Sequence, residues 1–168
     1  MILGLLAWGP HTGYEIKRIT DRSTRFFWGA SYGQIYPELR RLEERGFVKA
    51  RDEPRGRVRR RVYTLTSAGR RALTRWLEDP DDTYELRDEG LLRLFFGELV
   101  ELDELRAIVA RRAEAFTSNA ELFREIGREL TITGPTTHVL RYGIELSEWN
   151  AAWWRDLEHR LAATETPA

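Results

Sequence analysis

The stretch "SYGQIYPELRRLEERGFV", residues 31–48, decides the fold of this chain. Ile35, Leu39 and Leu42 recur at the spacing of one helix face, and Gly46 is a residue typical of a helix end. The positions between them are mostly polar or charged. The stretch therefore predicts an amphipathic helix with an apolar stripe toward a core and an opposite face open to a partner.

Where this helix begins depends on Pro37. Ser31 and Gln34 have the spacing of a capping box, which predicts a start near Tyr32 and leaves Pro37 inside the helix. A proline in a helix interior removes one hydrogen bond and costs about 3 kcal/mol. The alternative is a later helix that begins at Pro37, where proline is tolerated. That start leaves a break of about nine residues after Phe27, too long for a helix-turn-helix, so we favour the earlier one.

The flanking segments complete a recognisable order of elements. Residues 2–8 predict a short apolar helix, and residues 13–27 predict an amphipathic one. After Gly46, the β-favouring runs "FVKAR" and "VRRRVYTL" flank a turn at residues 52–56, which predicts a two-stranded hairpin. Thr66 then caps another helix. Helix, break, helix and hairpin is the order of a winged helix-turn-helix, whose second paired helix enters the major groove of DNA.

The chain has no net charge, but its charges are segregated. Residues 1–75 contain 17 Lys and Arg against 7 Asp and Glu, whereas residues 76–168 contain 10 against 20. Much of the basic excess lies in the hairpin, at Arg51, Arg55, Arg57, Arg59, Arg60 and Arg61. Such a cluster repels itself unless an anion is near, and arginine suits phosphate. This pattern predicts double-stranded DNA as a partner; the alternative is a solvated edge hairpin that resists aggregation.

The face of the helix opposite its apolar stripe is centred on Gly33, Pro37 and Glu44. Gly33 and Pro37 form a strip with little side chain, along which DNA can approach the backbone. The flanking residue types suit DNA, because glutamine pairs with adenine edges, arginine with guanine or phosphate, and tyrosine with phosphate. An alternative role for Gln34 is helix capping alone. The predicted DNA-binding residues are Lys17, Ser31, Tyr32, Gln34, Tyr36, Arg40, Arg41, Arg55, Arg57 and Arg59.

An acidic, proline-bearing linker at residues 79–89 separates the two halves. We therefore expect a winged helix-turn-helix domain at residues 1–79 and a helical domain at residues 80–168. Three helices are predicted in the second domain, at residues 85–100, 101–130 and about 137–162. The middle helix carries a heptad-like apolar stripe that is too long to be covered by a small domain alone, which predicts a homodimer. The predicted dimerisation residues are Leu102, Leu105, Val109, Phe116, Phe123 and Ile126.

The sequence resembles the PadR-type transcriptional regulators in three blocks. These are "GLLAWGPHTGYEIKR" (residues 4–18), "YGQIYPELRRLEERGFV" (residues 32–48) and "RRVYTLTSAGRRAL" (residues 60–73). The second half is similar to the longer C-terminal domain of one PadR subfamily. The resemblance implies a homodimeric DNA-binding regulator, usually a repressor, in which the third helix and the wing bind DNA and the C-terminal helices dimerise. It puts Tyr36 at the position of the family's DNA-contacting tyrosine.

The resemblance also implies a small aromatic effector, because some members of the family release DNA on binding phenolic acids or aromatic drugs. The C-terminal half is rich in aromatic residues, and planar side chains suit a flat ligand. The candidate effector-binding residues are Phe96, Trp149 and Trp153. The alternative is that these aromatics form the core or the dimer interface.

The chain lacks the sequence signatures of an enzyme or a membrane protein. It has no cysteine, its three histidines are far apart, and it has no glycine-rich phosphate loop, so we expect no catalytic residue, cofactor or metal site. The apolar N-terminus lacks the layout of a signal peptide, and no apolar run reaches 18 residues, so we expect a cytoplasmic protein without a membrane anchor. The alternative function is a winged-helix protein–protein interaction module without sequence-specific DNA binding.

Overall fold

The computed structural model describes residues 1–27, 32–55, 58–81 and 84–163. Contacts divide the chain into two compact units, Met1–Thr83 and Tyr84–Ala168. Both units are mainly helical, and a small antiparallel sheet lies in the first. The predicted fold class, mainly α with an N-terminal winged helix-turn-helix, is confirmed. Within the described residues, no helix is both long and apolar enough to span a membrane.

The N-terminal unit combines four described helices with three strands. In chain order these are α1 (Ile2–Ala7), β1 (His11–Thr12), α2 (Gly13–Asp21), α3 (Ile35–Glu44), β2 (Val48–Arg55), β3 (Val58–Leu65) and α4 (Ser67–Glu78). Strand β3 lies between β1 and β2 and pairs antiparallel with both. Ile16 of α2 and Leu39 of α3 are fully buried at the centre of the core. In this architecture α3 is the candidate recognition helix and the β2–β3 hairpin is the wing.

Two predictions about the segment before α3 need correction. Helix α2 ends at Asp21 rather than near Phe27, and a separate 3-10 turn over Thr24–Phe26 follows it. Strand β1, which pairs His11 with Tyr63, was not predicted at all. It has only two residues, too few to show the alternation that identifies a strand in a sequence.

The wing is longer than predicted, because the turn sequence belongs to its strands. Residues 52–55 continue β2, and Arg55 is the register partner of Val58. Pro54 lies inside β2 opposite Arg59. A proline is tolerated there because β2 is an edge strand, where a missing N–H on the outer side leaves no ladder bond unmade.

The start of α3 changes the interpretation of Pro37. The α-helix begins at Ile35, after a 3-10 turn over Tyr32–Gln34, and its N-cap Gln34 makes no side-chain capping bond. Ser31, the predicted cap, lies outside the described residues. Pro37 is therefore the third residue of the α-helix, where an N–H has no partner within the helix. Helical backbone therefore begins at Tyr32, as favoured, but as a 3-10 turn, and the later start at Pro37 is wrong. Pro37 lies in the first turn of the α-helix, where proline costs less than in its interior.

The end of α3 follows the sequence prediction. Gly46 has a φ of +70°, and its N–H donates to the carbonyl of Glu43 at 2.9 Å. The N–H of Phe47 donates to the carbonyl of Leu42 at 2.9 Å. These two bonds define a Schellman motif, which ends the helix and turns the chain directly into β2.

Phe47 also anchors the start of α4. Its carbonyl accepts the N–H of Thr66 at 3.1 Å. The hydroxyl of Thr66 caps α4 by accepting the N–H of Gly69 at 3.0 Å, and it donates to the carbonyl of Gly46 at 2.8 Å. A Cβ on Gly69 would lie only 2.0 Å from the Phe47 oxygen. Glycine is therefore required at this position by close approach to backbone rather than by an unusual φ.

We predict that Gly69→Ala destabilises the N-terminal unit by about 2–3 kcal/mol, because a methyl group pressed against backbone forces the α4 helix away from Phe47. The free energy of unfolding in urea measures this. Gly4→Ala is the matched control: a Cβ at Gly4 of α1 meets nothing within 4 Å, so that substitution should be neutral or slightly stabilising. Equal urea midpoints for Gly69→Ala and the wild type would contradict the packing role of Gly69.

The C-terminal unit has three described helices: α5 (Glu89–Phe95), α6 (Leu102–Glu129) and α7 (Pro135–Ala163). The single helix predicted over residues 85–100 is wrong, because α5 begins after its cap Asp88 and a 3-10 turn over Gly97–Leu99 replaces the rest. The carboxylate of Asp88 also accepts two bonds from Arg112 of α6, at 2.6 and 2.7 Å. This ion pair ties the start of α5 to α6.

The heptad stripe of α6 packs within the chain, which corrects the reasoning that assigned it to a partner. Val109 is fully buried in a cluster with Trp154 of α7, and Phe123 and Ile126 are also buried. The Phe123 ring lies against Gly143 of α7, 3.2 Å from the position of an added Cβ. Three further members are partly buried: Leu102, Leu105 and Phe116. Helix α7 packs on Val109, Phe116 and Phe123, and Leu105 lies against Gly97, so the buried members of the stripe offer no surface to another chain.

Candidate nucleic-acid interface

Tyr36 of α3 stands in a cleft between α2, α3 and the wing, and its side chain is 51% exposed. On one side of it lies a hollow lined by Tyr36, Arg40, Glu43, Glu44, Arg61 and Tyr63. On the other side lies a hollow lined by Thr12, Gly13, Tyr14, Tyr36, Arg60, Arg61 and Tyr63. We call the two hollows together the Tyr36 cleft. It brings basic and phenolic side chains from three elements onto one surface.

The predicted DNA face of α3 is divided between this cleft and a separate groove. Arg40 lies with Tyr36 in the cleft. Gln34, Pro37 and Arg41 instead line a groove between α3, α1 and α4. Arg41 lies 3.5 Å from Glu38 on the next turn of the same helix. All of these predicted contacts remain solvent-exposed, but Tyr36 and Arg40 form one group and Gln34 and Arg41 another.

Among the wing arginines whose side chains the structure describes, Arg51, Arg60 and Arg61 have carboxylate partners within the chain. One guanidinium nitrogen of Arg61 donates to both carboxylate oxygens of Glu43 at 2.9 Å. Arg60 and Arg51 both donate to Glu53, at 3.1 and 3.2 Å. The inference that the cluster requires an outside anion therefore needs correction, because carboxylates of α3 and β2 already offset part of its charge.

A capping box at the start of α2 adds a further tie to the wing. The N–H of Thr12 donates to the Glu15 carboxylate at 2.7 Å, and the N–H of Glu15 donates to the Thr12 hydroxyl at 3.2 Å. The backbone hydrogen bond from Thr12, its hydroxyl and the charge of Arg60 hold the pKa of Glu15 below its usual value. Glu15 therefore stays ionised 3.9 Å from Arg60 and links α2 to β3.

The other predicted DNA-binding residues have mixed outcomes. Arg59 of β3 is exposed, and Lys17 is exposed on α2. Four lie wholly or in their side chains outside what the structure describes, so their roles stay predictions: Ser31, Tyr32, Arg55 and Arg57. Sequence reasoning missed Tyr14 and Tyr63, which line the cleft. The two-residue period of β3, from Arg59 through Arg61 to Tyr63, was a signal that could have grouped Tyr63 with the arginines.

The candidate effector residues lie in different surroundings. Phe96 follows α5 and contacts Phe95 edge to face, with ring centroids 5.0 Å apart. Trp153 packs against the buried cluster of α6 and α7, edge to face with Trp154. Trp149 is 62% exposed on α7. Trp153 thus has a packing role, whereas Phe96 and Trp149 present aromatic surface to solvent.

Sequence comparison relates both units to known regulators. Residues 2–75 match the transcriptional regulator PadR-like family, and residues 86–162 match the virulence activator alpha C-terminal domain. The negative transcriptional regulator PadR of Bacillus subtilis is 37% identical over 97 residues, which cover 56% of this chain and 53% of that protein. The chain therefore aligns with about half the length of this relative.

Structural comparison extends over nearly the whole chain. A PadR-like transcriptional regulator from Bacillus cereus superposes with a TM-score of 0.86 at 25% identity, covering 98% of this chain and 97% of that one. Bacillus subtilis PadR in complex with operator DNA gives 0.81 at 26% identity, covering 95% and 96%. The same protein with p-coumaric acid gives 0.73 at 24% identity and 96% coverage of both chains, a likeness of fold. The chain thus carries a PadR-like family domain at residues 2–75, and both of its units have the fold of solved PadR-like transcriptional regulators.

Proposed function

We propose that this regulator binds a specific, pseudo-palindromic DNA operator as a homodimer and represses transcription there. The observation that carries the proposal is the Tyr36 cleft, where exposed groups of α3 lie beside the wing. In a winged helix-turn-helix the recognition helix enters the major groove while the wing follows the flanking backbone. A solved relative holds operator DNA, which supports the same use of this surface.

The proposed contacts differ in kind. The Tyr36 hydroxyl donates to a phosphate oxygen, and Arg40 reaches phosphate or the O6 and N7 acceptors of guanine. Arg59 is exposed on the wing, so it neutralises a backbone phosphate. Arg61 is not assigned a DNA contact, because its two hydrogen bonds to the Glu43 carboxylate join the wing to α3. Sequence reading is thereby assigned to α3 and general affinity to the wing.

We predict that Arg59→Ala weakens binding to all DNA sequences alike and lowers the slope of log K against log salt by about one for each wing that meets DNA. The probe is a duplex selected by the wild-type chain from a random-sequence pool, titrated by fluorescence anisotropy at several salt concentrations. Arg111→Ala, at an exposed position of α6, is the matched control and should leave the slope unchanged. An unchanged slope for Arg59→Ala would remove the wing contact from the proposal.

A second apolar stripe, on α7, supports the homodimer. Its members follow one another at alternating steps of three and four residues: Val139, Tyr142, Leu146, Trp149 and Trp153. The first four are between 43 and 62% exposed, on a face that α6 does not cover. This spacing is that of a coiled-coil seam, and leaving such a seam in water forfeits about 25 cal/mol for each Å² of apolar surface. A second copy of α7 offers the same seam, so a two-fold symmetric contact can cover both.

We predict that Leu146→Glu converts the dimer into a monomer, because a carboxylate in the centre of the seam cannot be buried unpaired. Sedimentation velocity at micromolar concentration measures the change. Leu77→Glu is the control, because Leu77 is 67% exposed on α4 and is not a member of the α7 seam. A wild-type chain that sediments as a monomer would refute the homodimer, and a dimeric Leu146→Glu variant would move the interface elsewhere. In a dimer, half-sites are expected about 10–10.5 bp apart or a multiple of that.

A small aromatic effector is the second part of the proposal, with Phe96, Trp149 and Trp153 as its candidate contacts. It is supported by the exposed Phe96 ring, which lies outside the α7 seam, and by a relative of the same fold that holds p-coumaric acid. We predict that p-coumaric acid quenches tryptophan emission and releases the selected duplex, and that Trp149→Phe loses most of the quenching. Benzoate at equal concentration controls for ionic strength. Quenching without release of DNA would leave no regulatory role for the compound.

The alternative, an interaction module that binds protein but no specific DNA, makes a different prediction for the selection itself. A specific regulator enriches a consensus containing an inverted repeat. An interaction module enriches none, and its residual binding falls away with salt for every sequence alike.

A further inference from the structure

We infer that Gly13 is a positioning residue for DNA binding, because its lack of a side chain allows the Tyr36 ring to pack directly on the start of α2. The inference builds on the proposed role of Tyr36. A Cβ added at Gly13 would lie 2.6 Å from Cε1 of Tyr36 and 3.2 Å from both Cδ1 and Cζ. The 2.6 Å distance is shorter than any real Cβ contact, and the two 3.2 Å distances are tighter than most. The ring can therefore keep this position only when residue 13 has no side chain.

The backbone of Gly13 gives no other reason for a glycine. Its φ is not among the positive values of the described glycines, which occur at Gly9, Gly46 and Gly134. Gly13 is the first residue of α2, directly after its cap Thr12, a position where alanine is readily accommodated. Glycine is therefore required at residue 13 only because the Tyr36 ring occupies the space that a Cβ would need.

The contact with Gly13 holds the Tyr36 ring between the two hollows of the Tyr36 cleft. Tyr36 projects from the first turn of α3, and half of its side chain is open to solvent. Without the contact to α2, the ring is free to rotate about its side-chain torsions, and ordering it on DNA then costs affinity. With the contact, α2 and α3 together hold the hydroxyl ready for a phosphate. The capping box of Thr12 and Glu15 in turn fixes the backbone at the start of α2, where Gly13 lies.

A methyl group at Gly13 is expected to displace the ring and leave the fold intact, because the atoms it meets are at the far end of a half-exposed side chain. We therefore expect Gly13→Ala to melt within a few degrees of the wild type and to bind the selected duplex about tenfold more weakly for each Tyr36 that meets DNA, the effect of roughly one hydrogen bond to a charged group. The salt slope should not change, because no cation is removed. Gly4→Ala, with open space around its Cβ, is the control and should bind as the wild type.

A double-mutant cycle with Tyr36→Phe is the deciding experiment, with anisotropy titrations of all four proteins on the selected duplex. If Gly13 acts through Tyr36, the double variant binds no more weakly than Tyr36→Phe alone. Additive losses, or wild-type affinity for Gly13→Ala beside a weak Tyr36→Phe, would overturn the inference while leaving the proposed function in place. Wild-type affinity for Tyr36→Phe would overturn the inference and the phosphate contact together. A chain that selects no duplex would refute the proposed function itself.

Discussion

The carbonyl of Phe47 is the point at which the DNA-binding unit is held together. It accepts the N–H of Thr66, and Gly69 of α4 packs on it without a side chain. Phe47 follows the Schellman end of α3 and precedes β2, while Thr66 follows β3 and caps α4. One backbone group thus joins the end of the recognition helix, both strands of the wing and the next helix. Because these four ends meet at one place, the wing cannot shift relative to α3 without breaking backbone hydrogen bonds and the close packing at Gly69.

Side-chain ion pairs then set the finer position of the wing. Arg61 joins it to α3 through Glu43, and Arg60 joins it to α2 through Glu15. These groups are partly or fully exposed, so each pair contributes little to stability. Their value is geometric and electrostatic. They orient long side chains, and their carboxylates offset part of the positive charge of the wing. On the proposed function, this leaves more of the binding free energy to the contacts of α3.

The order of elements in this unit could be predicted from the sequence because it depends on local rules. The stripe of Ile35, Leu39 and Leu42, the glycine at 46 and the cap at Thr66 each act over a few residues, and all three are as predicted. Features that depend on distant contacts could not be predicted. Strand β1 exists only because β3 is beside it, the carboxylate partners of the wing come from other elements, and Tyr36 meets Gly13 across the fold. The apolar stripe of α6 was wrongly assigned to a partner chain for the same reason. A periodic pattern predicts that a helix face is buried, but it does not tell whether the same chain or another one covers it.

The two long helices illustrate how one fold can separate internal packing from assembly. Helix α6 packs its apolar stripe against α7, and a second apolar stripe of α7, at coiled-coil spacing, remains exposed on the side away from α6. The charges are divided in the same manner. The basic excess lies in residues 1–75 and the acidic excess in residues 76–168. A phosphate backbone attracts the first unit and repels the second, which on the proposed function favours contact of DNA with α3 and the wing. On that proposal, the charge pattern favours DNA at the first unit, and the apolar stripe on α7 favours a second copy of the chain.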